Sequence, residues 1–160
     1  MTGITFTPIG TVHSPFRDPR DMPIQSIGAR GVRGTVELDP AYAPGLKDLT
    51  GFSRIILLYH FHRTEGYALE VVPFLDKVPH GVFATRAPRR PNAIGLSILK
   101  LVAVEGPTLT VEDVDILDGT PVLDIKPYVP AFDAFPNERA GWLARSMEDA
   151  RTVRSDDRFC

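Results

Sequence analysis

The chain has a single cysteine among its 160 residues, Cys160, so no intrachain disulfide can form and nothing points to an oxidising compartment. It has no apolar run near the ~20 residues that span a bilayer. Its opening residues, MTGITFTPIGTV, lack the basic and apolar segments of a secretory signal. A cytoplasmic protein without membrane contact is the expectation. Neither HExxH nor CxxC occurs, so His60 and His62 of YHFHR, two apart on one face of a strand, have no further ligands at zinc spacing. No metal is expected, and His62 with Arg63 is read instead as the mouth of a pocket. SIGARGVRG is not GxGxxG and opens no helix, which excludes a familiar phosphate-binding loop. The formal net charge of −2 excludes a broadly basic surface, so any nucleic acid must be held locally.

What the chain does have is 43% apolar and 24% charged residues, enough for one globular domain with its own core. Short β-rich runs, punctuated by fifteen prolines, recur at 4–13, 32–38, 54–61, 69–72, 82–85, 94–104, 109–114 and 122–125. IILLY and GVFAT read as strands buried on both sides, whereas TLTVEDVD alternates like a half-buried strand. Ala140, Leu143, Ala144 and Met147 recur at helical spacing and predict a C-terminal helix over 138–151, and a shorter helical turn is expected around 43–49. The fold class that follows is mainly β: a closed or nearly closed barrel of short strands over 1–137, then a helix and polar tail over 138–160.

Charge is unevenly placed. No acidic residue lies between Asp76 and Glu105, where Lys77, Arg86, Arg89, Arg90 and Lys100 fall; then Glu105, Glu112, Asp113, Asp115, Asp118 and Asp124 precede Lys126. Within FATRAPRRPNAIGLS, Pro88 and Pro91 stiffen a loop that presents three arginine forks, suited to carboxylates or phosphates, and Asn92, which can read an amide or a base edge. A solvated loop paired with the acidic stretch is the alternative. In DVDILDGTPVLDIKPY, Asp118-Gly119-Thr120-Pro121 marks a turn. By alternation Asp124, Lys126 and Tyr128 share one face, and with Asp115 and Asp118 they suggest the wall of a polar pocket.

IGTVHSPF, GFSRIILLYHFHR, GVFATRAPRRPNAIGLS and LDGTPVLDIKPYVP, in that order, resemble the TsaA/TrmO family of S-adenosylmethionine-dependent methyltransferases. The resemblance covers residues 9–133. It implies a single-sheeted β-barrel, a homodimer with S-adenosyl-L-methionine bound near the subunit contact, and methylation of threonylcarbamoyladenosine beside the anticodon of tRNA. By similarity the cofactor would be held by Gln25, Ser26, Ile27, Gly28, His62, Arg63, Arg86, Leu96, Glu112, Asp113, Val114 and Asp115. Arg89, Arg90, Asn92 and Lys126 would face the substrate or the dimer partner, and Asp118, Asp124 or Tyr128 would accept the proton lost by the methylated nitrogen. The family commonly shows Pro-Arg-Gln where this chain has Pro23-Ile24-Gln25. Many bacterial members continue into a further C-terminal domain, so a short form is expected. Two alternatives are a methyltransferase of the same fold on another substrate and a non-enzymatic RNA-binding barrel.

Overall fold

The computed structural model describes all residues, 1–160. Its centre is a closed antiparallel barrel of six strands: β1 (Gly10–His13), β2 (Arg33–Leu38), β3 (Arg54–His60), β6 (Ile94–Glu105), β7 (Thr108–Glu112) and β8 (Pro121–Pro127). Around the barrel the order is β1-β2-β7-β6-β3-β8, and β8 closes back on β1 through Gly10 opposite Val122. Closure leaves no open sheet edge, which suits a chain with little helix to cover one. Period-two alternation fills the interior: Val12, Val36, Ile55, Leu57, Leu99, Leu109, Val111 and Val122 are fully buried. Each such side chain contributes roughly 2 kcal/mol of burial free energy.

A lobe outside the barrel pairs β4 (Glu70–Val71) with β5 (His80–Gly81) and carries a second apolar cluster of Val71, Val82, Ala87 and Phe159. The helix α1 (Pro130–Asp133) is one turn long.

The mainly-β barrel expected from the sequence is the fold. Four local expectations are corrected. Strand β1 starts at Gly10 rather than Ile4, because residues 1–8 are exposed and pair with no strand. GVFAT is not a doubly buried strand: Val82–Ala84 forms a 3-10 turn, with only Val82 and Thr85 buried at its edges. IILLY is buried on alternate residues, with Ile56 and Leu58 only partly covered on the outside. The C-terminal helix is replaced by two 3-10 turns, Gly141–Arg145 and Asp149–Arg151. Gly141 has φ +60, which breaks a continuing right-handed helix at that point. The turn expected around 43–49 is present, shifted to Pro40–Leu46 with a second turn at Leu49–Gly51.

Candidate functional site

One end of the barrel opens into a cleft of ≈ 1020 Å³. Its floor is the end of β3 and the start of β6, with Asp115 and Leu117 from the segment after β7. One rim is the loop from Pro19 to Ile27; the other is the arginine loop from Phe83 to Asn92. Residues 140–160 supply the remaining wall through Trp142, Leu143, Met147 and Phe159 among others. The cleft is therefore assembled from at least five parts of the chain distant in sequence.

A short hydrogen-bonded chain lies in the floor. Ser97 donates to the Asp115 carboxylate at 2.6 Å, which leaves the buried Tyr59 hydroxyl, 3.0 Å from Ser97 Oγ, to donate to the serine. Burial pushes the Asp115 carboxyl up to about 6, against the opposing hydrogen bonds from Ser97 and Ser26 and the attraction of Arg86. Burial, then the Asp115 charge, raises the Tyr59 phenol too. Gly95 makes the arrangement possible, since a Cβ there would lie 2.2 Å from the Tyr59 ring. Asp115 is thus a carboxylate held ready for a cationic or proton-bearing partner.

Across the cleft Arg86 is exposed and donates to Gln25 Oε1 at 2.8 Å, joining the two rims. Arg90 turns back into its own loop and donates to the carbonyls of Thr85 and Ala87, at 3.0 and 3.2 Å. It stiffens the loop that presents Arg86. Arg89 points the other way, into a neighbouring cavity of ≈ 410 Å³ that it shares with Arg20, Arg63, Asp18 and Glu65. Arg20 is already paired with Asp18 at 2.9 Å, whereas the buried Nε of Arg89 has no partner. His62 lines the cleft mouth beside Arg63 and Asn92; partial shielding from water, then the charge of Arg63, lowers its pKa. Gln25, Ser26, Ile27, His62, Arg63, Arg86, Leu96, Asp115, Arg90 and Asn92 are accordingly gathered around one cleft.

The other residues singled out in the sequence are placed elsewhere. Glu112 pairs with Arg33 at 3.0 Å and Lys100 at 3.3 Å on the barrel wall, and these partners lower its pKa. Asp113, at φ +68, accepts from the Gly31 amide and from Arg54. Val114 is core, and Gly28 packs beside Ala150 just behind the cleft. Asp118 accepts from the Ser14 amide at 3.0 Å and lies within 3.7 Å of His13 and 3.6 Å of Arg17, so it anchors the chain after β1. Asp124 and Lys126 pair with each other at 2.8 Å, and neither they nor Tyr128 line the cleft. The register explains this: Asp124 and Lys126 pair with Leu58 and Ile56, the outward residues of β3, and a bulge between Asp124 and Val122 returns Val122 to the core.

Sequence reasoning missed Tyr59, Ser97 and Trp142. Only the serine had a signal, being a polar residue inside an apolar strand. Trp142 donates to the Ala84 carbonyl at 2.7 Å and stacks on His80 at 4.4 Å, with His80 held by Asp76 at 2.7 Å. Contacts between residues so far apart in sequence leave no local pattern.

The sequence profile of the tRNA-methyltransferase O N-terminal domain matches residues 11–134. The chain belongs to that family. Among its relatives is a Pyrococcus abyssi protein named "Probable S-adenosyl-L-methionine-binding protein", 53% identical over 156 residues, covering 98% of this chain and 85% of the relative. The mouse protein named tRNA (adenine(37)-N6)-methyltransferase is 39% identical over 139 residues, covering 81% of this chain and 32% of its own length. The crystal structure of TrmO from Pseudomonas aeruginosa superposes with a TM-score of 0.75 at 40% identity, covering 88% of this chain and 62% of that one. The chain thus spans about three fifths of that family structure. The family-matched stretch contains Arg63, Arg86, Arg89, Arg90 and the Tyr59–Ser97–Asp115 floor, whereas the wall from Ala140 onward lies beyond it.

Proposed function

We propose that the chain is an S-adenosylmethionine-dependent methyltransferase acting on an adenosine nitrogen in tRNA, namely threonylcarbamoyladenosine beside the anticodon. The observation that carries this reading is that Arg86 and Asp115 line one cleft, near enough for the arginine's charge to act on the carboxylate, on the stretch that matches the family. The donor set fits the cofactor. An arginine fork suits its carboxylate and the buried Asp115 carboxylate suits its ammonium or ribose hydroxyls. Apolar Ile27, Phe83 and Leu96 line the space between, which is large enough for a nucleoside cofactor and an acceptor nucleoside together. When bound, the cofactor supplies an activated methyl group.

The protein's own task is to align the acceptor, exclude water and remove a proton. Of the cleft-lining side chains, His62 is the one whose lowered pKa keeps it neutral at physiological pH, and it takes the acceptor's proton. Asp118, Asp124 and Tyr128 stand outside the lining and keep supporting roles in this scheme. Arg63 and Arg89, in the adjoining cavity, meet a backbone phosphate of the tRNA next to the target nucleoside. Ile27, Phe83, Ile94, Leu96 and Met147 are exposed at the cleft, an apolar rim suited to a second copy of the chain in a homodimer. A tRNA substrate places the protein in the cytoplasm.

Calorimetric titration with S-adenosylmethionine tests the reading. Saturable heat with one site per chain is expected. No heat, together with steeply salt-dependent RNA binding, would replace it with an RNA-binding barrel.

A further inference from the structure

The segment from Gly141 to Phe159 touches both rims of the cleft. On one side it pairs with the loop that carries Gln25 and Ser26. The Asp21 amide donates to the Ser155 carbonyl at 2.8 Å, the Ser155 amide donates to the Met22 carbonyl at 2.9 Å, and Pro23 bridges to Arg154. The Ser155 side chain adds two bonds of its own: its hydroxyl accepts from the Met22 amide and donates to the Pro19 carbonyl, both at 2.8 Å. A few residues on, the loop packs so tightly on the segment that a Cβ at Gly28 would lie 2.9 Å from the Ala150 carbonyl.

On the other side the segment holds the lobe that leads into Arg86. Phe159 is buried in the cluster with Val71, Val82 and Ala87, meeting the Phe74 ring edge-on at 5.1 Å. Arg158 donates to the Pro73 carbonyl at 2.8 Å and covers the Phe74 ring. Trp142 is tied to Ala84, two residues before Arg86. Between these attachments the only direct hydrogen bond from rim to rim is Arg86 to Gln25, between an exposed and a half-buried side chain. Such a bond cannot set the cleft width against water by itself.

We infer that residues 141–159 form a strap that fixes the distance between the two rims, with Ser155 as the positioning residue that locks the Gln25–Ser26 loop. This rests on the reading of the cleft as an S-adenosylmethionine site. It assigns control of cofactor affinity to residues outside the stretch the family profile matches.

Ser155→Ala in the full chain removes two side-chain hydrogen bonds and leaves Gln25, Ser26, Arg86 and Asp115 in place. The strap predicts about tenfold weaker S-adenosylmethionine binding. It also predicts faster amide exchange over residues 24–29, unchanged exchange in β6, a raised KM for the cofactor with kcat nearly kept, and recovery in Ser155→Thr, which retains the hydroxyl. Native affinity with native exchange at 24–29 in Ser155→Ala would overturn the inference. So would exchange that rises equally in β6, because that marks general destabilisation. If the native chain binds no S-adenosylmethionine, the methyltransferase reading falls, while the exchange comparison still decides whether the strap orders the loop.

Discussion

Asp115 is the residue on which most of the site's electrostatics converge. Its carboxyl is pushed up to about 6 from an ordinary 3.8, chiefly by burial. The folded chain therefore binds this proton more tightly than the unfolded chain does. The resulting contribution to stability is fully present below about pH 4 and is lost as pH rises toward about 6. Above that, the ionised carboxylate costs at most about 3 kcal/mol, the equivalent of that shift. Asp115→Asn should raise the thermal midpoint by several degrees at about pH 7 and leave it nearly unchanged at about pH 4, as melts across that range would record. The same change should weaken cofactor binding, because a site that keeps an unfavourable charge uses it on the ligand.

The arginines divide by direction. Arg86→Ala should weaken S-adenosylmethionine binding by about tenfold without altering stability, as expected for an exposed charge-assisted contact. Arg90→Ala should lower both affinity and stability, by about 1–2 kcal/mol in unfolding, since it removes two bonds that hold the loop carbonyls. Calorimetry and denaturant unfolding of the two variants separate these effects.

At the level of elements, the decisive contact is between β3 and β6, where Gly95 faces Tyr59 in register. Gly95→Ala places a methyl group where the buried ring stands, so the ring must move and the Tyr59–Ser97–Asp115 chain breaks with it. A loss of about 2 kcal/mol in unfolding free energy is expected, with weaker cofactor binding. Unchanged stability would show that the ring shifts freely. Strand β3 was legible in the sequence because IILLY is a short apolar run of strand length, although its burial on alternate residues was not. The elements that escaped were set by contacts or backbone angles without a periodic signature. Asp124 and Lys126 do share a face, as their alternation indicated, but pairing with Leu58 and Ile56 makes it the outer face of the barrel rather than a pocket wall. Gly141 divided a segment whose apolar spacing was helical, yet Leu143 and Met147 still face the cleft. The arginine loop was legible as a functional element because stiff prolines and clustered cations are local features. Its three separate directions were not, since they depend on Gln25, on the loop's own carbonyls and on the neighbouring cavity that Arg89 enters.

For the whole molecule, a chain of formal net charge −2 can bind tRNA only through a confined basic region. Arg63 and Arg89, in a cavity that also holds the Arg20–Asp18 pair and Glu65, are the proposed phosphate contacts beside the cleft. Arg89→Ala should leave S-adenosylmethionine affinity intact, weaken tRNA binding, and reduce the slope of log affinity against log salt by about one. Fluorescence titrations at several salt concentrations measure that slope. No helix is long and apolar enough to cross a membrane. The Tyr59–Ser97–Asp115 floor and residues 141–159 line one cleft, and the cavity with Arg63 and Arg89 adjoins it, so the proposed reaction takes place at that cleft. Its most direct test is to incubate the purified protein with methyl-deuterated S-adenosylmethionine and tRNA from a strain lacking the methylation, then analyse the digested nucleosides by mass spectrometry. The account predicts one labelled methyl group on threonylcarbamoyladenosine, and none with the Arg86→Ala, Asp115→Asn double variant. Label on a different nucleoside, or on none while S-adenosylmethionine remains bound, would contradict it.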